Sequence, residues 1–125
     1  MSKRTRTPQP DATLDALKAA LDIAATNASH AFSDAVEAAK HTGTIRNKES
    51  EAIDRLASLN KRAAETQYAQ DADDAHDAEV RLESLRKQKE QAWEKSLAMS
   101  EVYMAAQHKE NQASLALALH LAQAK

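Results

Sequence analysis

The chain has no cysteine, a single glycine at Gly43, and two prolines, Pro8 and Pro10, that both precede residue 11. Without thiols there is neither a disulfide framework nor a thiolate metal site. One glycine excludes both a glycine-rich phosphate loop and the sharp elbow that presents a nucleophilic serine. From Thr44 to Lys125, 82 residues run with neither glycine nor proline, so nothing there forces the backbone to turn and helix is the default. Aromatic residues are limited to Phe32, Tyr68, Trp93 and Tyr103. No uncharged apolar stretch reaches the ~18 residues of a membrane span, and no apolar segment of a signal peptide follows the basic start. The expected location is the cytoplasm or the inside of a virion-like particle.

What the chain has instead is alanine. Leucine, isoleucine, valine and phenylalanine together make up 19 of 125 residues, whereas alanine alone supplies 28. So little bulk marks disorder when net charge is high, but here the net charge is −2, and alanine is the best helix former. The composition predicts helices that are well specified locally but short of apolar area as a monomer. Such a chain completes its interior with another copy or a partner.

Residues 1–10 hold Lys3, Arg4 and Arg6 with no acid and read as a flexible basic arm. A single helical domain is expected over 11–125. Asp11 or Thr13 offers an N-cap, and Asp15 suits the first turn. The heptad positions Leu14, Leu17, Leu21, Ala24, Ala28, Ala31, Ala35 and Ala38 are all apolar, with Phe32 and Val36 widening the stripe. Lys40, His41 and Gly43 predict a stop, giving a first helix over about 12–41. Thr44 would cap a second helix over about 45–70, seamed by Ile45, Ala52, Leu56, Leu59 and Ala63 and folded back as a tight antiparallel hairpin.

Residues 65–79 carry six acids and no lysine or arginine. Aspartates favour turns and caps, so Gln70 to Asp74 is the expected second corner. A third helix is expected over about 74–124. Of its fifteen seam positions from Ala75 to Ala124, eleven are apolar, against about six from composition, and the exceptions are Lys89, Ser96, Glu110 and His120. Leu115, Leu117, Leu119 and Leu121 alternate as in a strand, but leucine and alanine are strong helix formers, and helix is the reading taken. As a helix that segment is apolar nearly all round, which calls for burial in an assembly.

Few residues suggest chemistry. Asp73 and His76 form one carboxylate-x-x-His pair, but a carboxylate-bridged metal site needs a second such motif, and none is present. No two of the five histidines are four residues apart, which removes an intrahelical zinc pair. No metal, cofactor or small-molecule substrate is expected, and no motif marks a family.

The sequence thus predicts an all-α protein, an elongated helical hairpin plus a long C-terminal helix with coiled-coil-like antiparallel packing. Its expected role is non-enzymatic, a structural or assembly component that forms a homo-oligomer or packs into a larger complex such as a virion-like particle. Leu14, Leu17, Leu21 and Phe32 would pack against Ile53, Leu56 and Leu59 within the chain. The expected protein interface comprises Leu82, Leu85, Trp93, Met99, Tyr103, Leu115, Leu117, Leu119 and Leu121. Two alternatives accompany this reading: a nucleic-acid accessory protein using Lys3, Arg4 and Arg6 in sequence-blind, salt-sensitive contacts, and an adaptor or inhibitor that docks a helix on a partner.

Overall fold

A computed structural model describes residues 12–123. Two α-helices of 55 residues each, α1 (Ala12–Thr66) and α2 (Ala69–Gln123), account for all of them except Gln67 and Tyr68, which join the two. The helices pack antiparallel as an all-α hairpin. Asp15 lies in the first turn of α1, where the helix dipole favours an acid. Asp11, the other N-cap candidate, lies outside the described residues, and Thr13 is already helical.

The chain forms two compact units, one of residues 34–100 and one that combines the residues before Asp34 with those from Glu101 onward. In the first, burial follows a three-four spacing: Thr42, Ile45 and Ala52 on α1, and Asp71, Ala75, Ala78, Leu82, Leu85 and Ala92 on α2. Leu82 and Leu85 pack with Ala52, and the half-buried Leu56 packs against this cluster. Burying each leucine stabilises the hairpin by about 1.5–3 kcal/mol, several times what an alanine methyl contributes. The other buried apolar residues of the unit are Ile45 and the alanines Ala75, Ala78 and Ala92, so among the described residues it depends on few large groups.

The turn expected at Gly43 does not form. Gly43 is helical, and the chain has no glycine with positive φ. Thr42 and Thr44 donate their hydroxyls to the carbonyls of Ala38 and Lys40, at 3.0 and 3.1 Å, so Thr44 back-bonds within a continuous helix instead of capping a new one. A mid-helix glycine costs only about 1 kcal/mol relative to alanine, a cost that burial of Ile45 two residues on can offset. The first and second helices of the sequence reading are therefore one. Leu14, Leu17, Leu21 and Phe32 cannot face Ile53, Leu56 and Leu59, because all lie on α1.

The corner falls three residues earlier than expected, at Gln67 and Tyr68. Gln67 takes the left-handed conformation (φ 57°) while its N–H still donates to the Ala63 carbonyl at 2.9 Å, the geometry of a helix C-terminus. The Thr66 hydroxyl donates to Asp71 Oδ2 and accepts the Tyr68 N–H at 3.3 Å. Arg62 Nε lies 3.4 Å from Asp71 Oδ1, so the buried carboxylate ties the end of α1 to the start of α2. The aspartates read as a corner instead belong to the beginning of α2, where backbone N–H groups and the helix dipole favour negative charge.

The second unit is built differently. Its buried apolar residues are Ala28 and Ala31 alone among those described. Leu14, Leu17, Leu21, Tyr103, Ala106, Ala113 and Leu117 are half-buried along its seam. Phe32 meets Tyr103 edge to face at 5.2 Å between ring centroids, a contact of about 0.5–1.5 kcal/mol beyond its area. The alternating leucines from Leu115 onward are helical, as the composition argued.

Candidate functional surfaces

Within residues 34–100, a polar layer interrupts the alanine seam. Glu49 of α1 and Lys89 of α2 occupy seam positions where apolar residues are the rule. Lys89 Nζ donates to Glu49 Oε1 at 2.9 Å, and Arg86 Nε lies 4.0 Å from Glu49 Oε2. The Glu49 side chain is only 14% exposed, so its desolvation is offset by two cations at once.

Trp93 projects one turn beyond this layer. It is 50% exposed and, with Arg46, Arg86, Lys89 and Glu90, lines an open groove of about 450 Å³. A half-exposed indole flanked by guanidinium groups can hold a partner's apolar side chain while its neighbours pair with acids.

The surface expected to contact other chains divides into three groups. Leu82 and Leu85 are corrected: each is 4% exposed and buried inside the chain's own hairpin, because α1 continues past Gly43 and brings Ala52 and Leu56 against them. Met99, Tyr103 and Leu117 are half-buried along the seam. Trp93, Leu115, Leu119 and Leu121 remain 45–60% exposed. Lys3, Arg4 and Arg6 lie outside the described residues.

The sequence pattern did not point to Ile23, Leu97 and Val102, which are 63%, 45% and 53% exposed, whereas Met104, an adaptable contact residue beside Met99 and Tyr103, is 66% exposed. All four fall off the seam. The signal that could have found the first three is an apolar residue at an outward heptad position. Ile23 and Val102, with Ala20, Ala24 and Ala106, line an open groove of about 430 Å³ in the second unit.

Asp73, His76 and Asp77 do not converge: among the described residues, no three His, Asp or Glu side chains stand close enough to hold a metal ion. No described helix is long and apolar enough to cross a membrane. Comparison with protein families, with curated proteins and with solved structures gave no match to this chain.

Proposed function

We propose that the protein is a non-catalytic helical assembly component, which associates with copies of itself or within a larger particle to cover the apolar surface its hairpin leaves open. One observation carries this reading. Among the described residues, the unit built from the start of α1 and the end of α2 buries only two apolar residues, both alanines, yet it holds seven of the twelve large apolar residues that stand exposed, Ile23, Val102, Met104 and Leu115 among them. Exposed apolar side chains that line a shared groove, as Ile23 and Val102 do, mark a surface suited to association.

A second reading, an adaptor that engages an acidic partner, is supported by Trp93 beside Arg46 and Arg86. Light scattering on the full chain and on a chain ending before Ser114 separates the two. Assembly predicts a mass above 13.7 kDa that falls on truncation, whereas a monodisperse monomer in both cases refutes assembly and favours the adaptor.

A further inference from the structure

We infer that the groove formed by Ala20, Ile23 and Ala24 of α1 with Val102 and Ala106 of α2 is where a second copy of this chain docks, hairpin against hairpin. This rests on the assembly reading and names its partner and its face. The groove lies wholly within the second unit and holds about 430 Å³. Helical periodicity extends it, since Ala16 lies one turn before Ala20 on α1, and Ala116 repeats the heptad position of Val102 and Lys109 further along α2.

Charge selects both the face and its occupant. From Thr13 to His30 on α1 and from Val102 to Leu119 on α2, the outward positions on this side include no carboxylate, and Lys109 is their single lysine or arginine. The opposite flank of α1 carries Asp15, Lys18 and Asp22, as a solvated face does. An acidic partner would meet one ammonium. In a two-fold contact each face presents the same apolar side chains with no carboxylate left unpaired, and the exposed Lys109 of each copy keeps its ammonium in water, which makes the patch self-compatible as the symmetry of homodimers requires.

The area is also sufficient. Residues 12–33 form about 33 Å of helix, and two helices side by side span about 20 Å. The projected face of roughly 660 Å² approaches the ~800 Å² that each partner contributes to a standard interface.

The test is the mass of the full chain by light scattering across concentration, for the wild type and for Ile23→Glu, Val102→Glu and Val80→Glu. Ile23, Val102 and Val80 are all more than half exposed, so the hairpin tolerates the changes, and circular dichroism checks that it does. The expected result is a wild type at twice 13.7 kDa, with dissociation constants raised at least ~10-fold by Ile23→Glu and Val102→Glu and unchanged by Val80→Glu.

Because the chain has no cysteine, Ile23→Cys labelled with pyrene gives a second readout that leaves the face apolar: excimer emission in the associated protein, absent for Val80→Cys. Association that survives both glutamates, together with no excimer at position 23, overturns the face while leaving assembly intact. A wild type that stays at 13.7 kDa at every concentration overturns both.

Discussion

Lys89 reaches across the hairpin, forty residues along the chain from Glu49, and donates to its carboxylate at 2.9 Å from a seam position otherwise given to apolar side chains. The pair favours this register of the helices, because sliding α2 by one heptad would part the two charges and set Glu49 against Leu82 or Lys89 against Leu56. Lys89→Met should destabilise the fold by about 1–3 kcal/mol, since Glu49 is left with only the longer Arg86 contact. Glu49→Leu combined with Lys89→Leu should recover that loss or exceed wild-type stability, at the cost of register. Urea unfolding of the single and double variants measures the first effect, and distances between labels on α1 and α2 measure the second.

Gly43 lies inside α1 with nothing within 4 Å of the position a Cβ would occupy. Gly43→Ala should therefore raise stability by about 1 kcal/mol through helix propensity and a stiffer unfolded chain. A turn at Gly43 would have required the left-handed conformation, and alanine would then destabilise. The sign of the change in the denaturant midpoint decides.

Gln67 presents the converse case. Its φ of 57° is strained for a residue with a Cβ. Gln67→Gly is expected to stabilise the hairpin by roughly 1 kcal/mol, and Gln67→Val to destabilise it, when thermal midpoints are compared at one protein concentration.

Leu82 and Leu115 separate intrachain from interchain burial. Leu82→Ala should cost about 2–4 kcal/mol of folding stability, because a core of alanines cannot collapse onto the cavity. Leu115 is 60% exposed, so Leu115→Ala should change stability by less than about 0.5 kcal/mol under conditions that keep the chain monomeric. Equal losses in the two variants would contradict the placement of Leu82 and Leu85 inside the hairpin.

The helical class and both seams were legible because a repeat of 3.5 residues leaves its mark whatever the partner. The break placed at Gly43 was misread, although the correction was present in the residues. Ala38, Thr42 and Ile45 keep the same three-four spacing on either side of the glycine, whereas a turn would have reset the phase. One glycine outweighed an unbroken register.

The corner was harder to read, because Gln67 carries none of the glycine or asparagine chemistry of left-handed residues, and the aspartates that resemble a turn serve the start of α2. The candidate surface was legible only in part. Leu115, Leu119 and Leu121 were found through their alternation, while Ile23 and Val102 stand alone in sequence and come together only when α1 and α2 are folded on each other.

The central claim is that the hairpin completes its burial through neighbouring chains, so that folding and association are linked. The thermal unfolding midpoint, followed by circular dichroism over a hundredfold range of protein concentration, tests this most directly. The account predicts a midpoint that climbs with concentration; a midpoint independent of concentration, for a protein at 13.7 kDa throughout, would contradict it.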